Sequence, residues 1–129
     1  MKTIIAGSRR GVTIKHVTEA MSACGWTPTE VVSGGAWGAD IFGEDWADAH
    51  HIPVVRFGAA WTDLEAQPCV VRKRPDGTKY NVMAGFNRNK DMAGYADALV
   101  AVWDGRSNGT RHMVNAAKEA GLKVYIHWI

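Results

Sequence analysis

Short apolar runs at residues 3–7, 30–33, 52–57, 98–103 and 123–128 alternate with stretches of helical period, and this alternation constrains the fold more than any other feature. It predicts βαβ units with right-handed crossovers and a mainly parallel sheet. The first helix, over about 12–24, sets Val12, His16, Val17, Ala20 and Met21 on one side before Gly25 stops it. Further helices are expected near 39–50, around 87–95 and over 108–120, the last ended by Gly121. Pro53 suits the beginning of a strand.

The rhythm breaks between Trp61 and Gly85. Within that span Cys69-Val70-Val71-Arg72-Lys73-Arg74 and Thr78-Lys79-Tyr80 flank a turn at Asp76-Gly77, which reads as a small hairpin over the ligand side. No repeat, heptad or linker divides the 129 residues. The expectation is one nucleotide-binding domain over 1–129, with 62–85 as a loop or hairpin insertion. A chain of this length buries enough surface to fold without metal or disulfide.

Composition excludes several function classes. No segment is apolar for long enough to span a bilayer. The strand-like start after Met1 lacks the pattern of a signal peptide, so a cytoplasmic location is expected. Cys24 and Cys69 lie far apart without CxxC spacing and read as structural thiols. The histidines at 16, 50, 51, 112 and 127 show no metal-ligand spacing, and neither a metal nor a cofactor is implied. A net charge of +2 does not by itself mark a nucleic-acid footprint, which makes nucleic acid the less favoured partner.

Polar, glycine-rich clusters follow three of the runs: Gly7-Ser8-Arg9-Arg10, Gly34-Gly35-Ala36-Trp37-Gly38-Ala39-Asp40, and Asp104-Gly105-Arg106-Ser107-Asn108-Gly109-Thr110. In a parallel open sheet these ends share one edge. Glycine admits close approach of a ligand to the backbone, and helix starts favour phosphate oxygens. The spacing matches neither GxGxxG nor GxxxxGK[ST]. The plainer account of each cluster is a tight strand-to-helix turn, with Ser107 as an N-cap. Arg88 and Asn89, placed just before a helix, either reach the same rim or form a solvated helix start. Trp37, Trp61 and Trp103 sit at or beside strand ends, where an indole stacks on a base or packs into the core. The run Arg72-Lys73-Arg74 with Lys79 contacts a nucleic-acid backbone or keeps an exposed hairpin edge soluble.

Taken in order, Ile5-Ala6-Gly7-Ser8-Arg9, Ser33-Gly34-Gly35-Ala36-Trp37-Gly38-Ala39-Asp40, Arg88-Asn89-Lys90-Asp91-Met92 and Gly109-Thr110 resemble the SLOG superfamily, and within it the YspA-like, YpsA-related proteins. The resemblance covers nearly the whole chain. It implies an α/β, Rossmann-like sheet of order 3-2-1-4-5 with a ligand crevice between strands one and four. Gly7, Ser8 and Arg9 would flank that crevice on one side, and Ser107, Gly109 and Thr110 on the other. SLOG proteins often pair through helices, so a homo-oligomer is expected.

SLOG relatives include nucleotide sensors, the DNA-uptake protein DprA and the LOG phosphoribohydrolases, and fold alone does not choose among them. The LOG enzymes carry RKxxM and PGGxGTxxE stretches whose Arg and Glu are catalytic. Here Arg88 and Met92 match the first, with Asn89 in place of its Lys. At the second stretch Gly109 and Thr110 match, but Gly105-Arg106-Ser107 replaces Pro-Gly-Gly and Met113 replaces the Glu. A thioether neither stabilises positive charge on a ribose nor activates water. Asp40, Glu44 and Asp104 are substitutes that the sequence does not separate, and no residue is singled out as catalytic.

The leading expectation is therefore a binding module that senses or sequesters a nucleotide or nucleotide-derived small molecule. Backbone amides of the glycine loops and Thr110 would hold phosphate, Arg9 and Arg88 would balance its charge, and Trp37 or Trp61 would cover the base. One alternative is a phosphoribohydrolase or nucleosidase using Arg88 with Asp40 or Asp104. The other is a single-stranded DNA binder using the hairpin from Arg72 to Lys79.

Overall fold

The computed structural model describes residues 1–65 and 67–129. Its centre is a pair of parallel strands, β1 (Lys2–Gly7) and β6 (Ala98–Trp103), in register from Thr3 opposite Ala98 to Gly7 opposite Val102. All six residues of β6 are buried, as a strand covered on both faces requires. Outward from β1 lie β2 (Glu30–Ser33) and β3 (Val54–Arg56), and outward from β6 lies β7 (Lys123–Trp128). The five-stranded sheet, β3-β2-β1-β6-β7, is parallel throughout. This is the 3-2-1-4-5 order expected, with the hairpin strands β4 (Val71–Lys73) and β5 (Lys79–Asn81) forming a separate antiparallel pair.

The two-residue period of the strands sorts the core into two layers. On one face Ile5, Val31, Val100 and Val102 pack against Val17, Ala20 and Met21 of α1 (Ile14–Ala23) and Ala39, Trp46 and Ala47 of α2 (Ala39–Ala49). On the other, Ile4, Ala6, Val32, Leu99 and Ala101 meet Met92 and Ala93 of α3 (Ala84–Tyr95) and Met113, Val114 and Ala117 of α4 (Asn108–Glu119). Thr13 starts α1 through a capping box in which His16 takes the part usually played by Glu: His16 N donates to Thr13 Oγ1 at 3.4 Å and Thr13 N to His16 Nδ1 at 3.1 Å.

Two expectations need correction. The third strand spans Val54–Arg56 rather than 52–57, although Val31 N bonds the Pro53 carbonyl and Phe57 N the Ser33 carbonyl at its ends. More consequentially, α3 begins at Ala84, so Arg88 and Asn89 lie inside the helix and not before it. The buried amide of Asn81 makes this possible: its Oδ1 accepts from Val70 N at 3.1 Å and Met83 N at 2.9 Å, and its Nδ2 donates to the Pro68 carbonyl at 3.3 Å. It thereby ties the base of the hairpin to the start of α3. The hairpin turn itself is closed by Asp76 Oδ1, which accepts from both N and Oγ1 of Thr78.

Close approach fixes the upper edge of the sheet. A Cβ on Gly7 would stand 1.9 Å from the Val102 carbonyl oxygen, and Ser8 N donates to that same oxygen at 2.9 Å. Gly38, at φ +88°, lies against the loop after β1, where a Cβ would meet Ser8 O at 2.4 Å and Arg9 Cα at 2.6 Å. Gly38→Ala is expected to cost about 2–4 kcal/mol in urea unfolding, because both the φ and the close approach forbid a side chain. Gly94→Ala, in α3 with open space around it, should be neutral or up to about 1 kcal/mol stabilising. Equal losses in the two variants would contradict this assignment of roles.

Candidate functional site

The carboxyl ends of β1 and β6, where the direction of winding reverses, open into a cleft with two recesses. The inner recess, about 150 Å³, is floored by Ala6, Met92 and Met113 and bordered by Asp40, Arg88 and Thr110. The outer, about 190 Å³, is lined by the Gly34-Gly35-Ala36-Trp37 loop and Ala59. Arg9, Ala36, Trp61 and Arg88 border both.

Each charged group is placed by a local reason. Gly34 has no side chain, and the space a Cβ would take lies 2.8 Å from both Arg88 Nη1 and Asp40 Oδ2. Arg88 donates through Nη1 to the Gly34 carbonyl at 2.6 Å and through Nε to Asn89 Oδ1 at 3.3 Å. Asn89, itself buried, passes the restraint to α4 by donating to the Gly109 carbonyl at 3.3 Å and facing His112 Nδ1 at 3.2 Å. His112 stacks on Phe86, and burial together with Lys90 holds its pKa below the ordinary value. Arg9, on the loop after β1, is exposed and donates no side-chain hydrogen bond among the described residues.

Asp40 sits in the first turn of α2 and is 7% exposed. Burial pushes its pKa up to about 6, against the N–H of Ala36 at 3.2 Å and the fields of Arg88 and Arg9, which pull it down. Among the described residues Asp40 and Arg88 form no ion pair, nor does Arg9. The same burial lowers the pKa of Arg88, as does the like charge of Arg9 nearby. Beside them Glu44 is fully engaged: burial works against its carboxylate, but hydrogen bonds from Arg56, at 2.5 and 3.0 Å, and from Ser33 Oγ, at 2.6 Å, hold its pKa below the ordinary value.

Of the residues picked out from sequence, Gly7, Arg9, Ala36, Asp40, Trp61, Arg88, Asn89, Ser107, Gly109 and Thr110 border the inner recess, and Gly34, Gly35 and Trp37 the outer. Trp37 is 81% exposed at the mouth. Trp61 is seated on α3, where a Cβ on Gly85 would lie 3.4 Å from its ring. Three residues stand outside the recesses. Gly38 supports the loop from behind; Ser8 is buried, its Oγ accepting from Asp104 N at 3.0 Å. Asp104 turns its carboxylate to the N–H groups of Arg106 and Ser107, at 2.8 and 3.1 Å, which hold its pKa low. Phe86 and Val82 also border the inner recess, although sequence reasoning does not single them out. The signal is present in the helical spacing of Gly85, Arg88, Asn89 and Met92, which share one face once α3 is extended back to Ala84.

No family model matches the chain, and no curated protein matches it. Among solved structures it is similar to DNA processing protein A (DprA) from Streptococcus pneumoniae, with a TM-score of 0.70 at 18% identity. The match covers 97% of this chain and 49% of that one, so the chain spans about half the length of DprA. The likeness bears on the fold, a Rossmann-like α/β arrangement of the kind the SLOG resemblance implies.

The raised pKa of Asp40 makes a stability prediction. The folded form binds a proton more tightly than the unfolded chain, so stability is highest below pH 3.8 as far as this group is concerned and falls as pH rises to about 6. The loss amounts to roughly 3 kcal/mol and stays constant above that window. Asp40→Asn is expected to be more stable than the parent at pH 8 and to lose most of that advantage at pH 4, as read from urea unfolding at each pH. An advantage independent of pH would contradict the assignment.

Proposed function

We propose that the cleft binds a nucleotide or nucleotide-derived small molecule and that the protein senses or sequesters it, as a YspA-like member of the SLOG proteins. The observation that carries the reading is the pair Arg9 and Arg88: two guanidiniums border the same two recesses, burial and the charge of Arg9 lower the pKa of Arg88, and neither is ion-paired among the described residues. Holding like charges together costs free energy that an anion between them recovers. The apolar inner floor and the indole of Trp61 supply a surface for a base, and the start of α4 at Gly109 adds a backbone donor, the Thr110 N–H being taken by the Ser107 cap.

The Arg–Glu pair of the LOG enzymes is half absent, since Met113, which borders the inner recess, replaces the Glu in the sequence. Asp104 is occupied by its own loop and Glu44 by Arg56, which leaves Asp40 as the one carboxylate bordering the inner recess among the described residues. Titration with nucleoside monophosphates, followed by chromatography of the mixture, tests the reading. Intact ligand supports a binding module, and released base would make it an enzyme. Arg9→Ala removes a side chain with no hydrogen bond to the described residues, so the fold should be unaffected while affinity falls about 10- to 100-fold.

A second reading has its own support. The hairpin exposes Arg72, Lys73, Arg74 and Lys79, and DprA, whose fold the chain shares, is a DNA processing protein. Single-stranded DNA would then run from the hairpin toward the cleft. Under this reading, changing those four residues to Gln should weaken binding and reduce the salt dependence by about 0.7 in log–log slope for each phosphate the protein no longer neutralises. Unchanged salt dependence would remove the hairpin from consideration.

A further inference from the structure

We propose that Asp40 makes the cleft selective for nucleotides with free sugar hydroxyls, its second carboxylate oxygen accepting hydrogen bonds from them while Arg9 and Arg88 hold the adjoining phosphate. The inference rests on the cleft being a nucleotide site and names the part of the ligand that decides recognition.

Asp40 is buried, yet only one of its oxygens is bonded to protein: Oδ2 accepts from Ala36 N. Oδ1 has no partner among the described residues. No fully enclosed side-chain polar atom among them lacks one, so Oδ1 is reached by solvent, and the open side of Asp40 is the inner recess it borders. A carboxylate this buried, with one oxygen held by protein and the other open only toward the recess, presents that second oxygen as an acceptor to whatever occupies the recess.

The chemistry of the missing partner follows. An ionised carboxylate only accepts, so the ligand must present O–H or N–H there. The groups facing Asp40 are Arg9 from the loop after β1, Arg88 from α3, Glu44 from its own helix and Arg56 from β3. Arg56 and Glu44 satisfy each other, which leaves Arg9 and Arg88 to attract an anion. Asp40 Oδ2 and Arg88 Nη1 both lie 2.8 Å from the position of a Cβ on Gly34, hence within twice that distance of each other. Of the donors a nucleotide carries, the sugar hydroxyls stand nearer its phosphate than the base edge does, and they suit a carboxylate placed this close to Arg88. Hydrogen phosphate carries an O–H of its own, but donating it to Asp40 sets the anion's charge directly against the carboxylate, whereas a sugar hydroxyl is neutral. A DNA strand, lacking the 2′-hydroxyl and with its internal 3′-oxygen esterified, would leave Oδ1 without a sugar donor.

The test is calorimetric titration of the whole chain at pH 8 with the four ribonucleoside 5′-monophosphates and their 2′,3′-dideoxy counterparts. At least one ribonucleotide should bind about tenfold or more tightly than its dideoxy form, since a hydrogen bond to a charged group is lost. In Asp40→Ala and in Asp40→Asn the ratio should fall below about threefold. The ratio should also be larger at pH 8 than at pH 5, where the carboxyl is protonated; phosphate titration cancels from it because both ligands carry the same phosphate. A wild-type ratio near one, or a ratio that survives in both variants, would overturn the role given to Asp40 while leaving nucleotide binding intact. Failure of every monophosphate to bind would overturn the nucleotide reading and this inference with it.

Discussion

The structure depends on how closely β1 and β6 meet at their carboxyl ends. Along most of their length the strands are held by ordinary parallel pairing, but at Gly7 the chain passes so near the Val102 carbonyl that only hydrogen fits on the α-carbon. From that point the chain leaves toward α1 on one side and, from β6, toward α4 on the other. Because neighbouring crossovers diverge here, a cleft remains at the strand ends. The Gly38 contact with Ser8 and Arg9 extends the same constraint to the second loop, so the cleft walls are positioned by backbone packing rather than by adaptable side chains.

Against that rigid edge the charges are left in tension. Arg88 is anchored by carbonyls and by Asn89, Asp40 by one amide, and neither is neutralised by the other. The neighbouring pair shows the contrast: Glu44 has Arg56 and Ser33, and its affinity for a proton drops accordingly. Burial without pairing raises the proton affinity of Asp40 instead.

The fold was legible because its signals are local and repeated. Runs such as Ala98–Trp103 are apolar on both faces, and glycines stand where strands turn into helices, so order and direction follow from the rules of crossover connections. The glycine clusters follow strands of a parallel sheet and therefore meet at one edge, where the structure opens a cleft. What stayed hidden depends on pairs far apart in sequence. The start of α3 at Ala84 carries no side-chain cap of its own, because Asn81 starts that turn through contacts with Pro68 and Val70 across the hairpin. Asp104 and Asp40 look alike in sequence; only the tertiary structure shows that one satisfies its own loop while the other is buried beside the cleft.

Asn81 joins more than a turn to a helix. Its side chain grips the strand entering the hairpin and the residue preceding α3, its backbone N–H holds the Trp61 carbonyl at 2.7 Å, and Val82 next to it borders the inner recess. The basic hairpin and the tryptophan wall of the cleft are therefore tied to one residue. The exposed strands and the mouth of the cleft are thus fastened at the same point, and removing that side chain would loosen both at once.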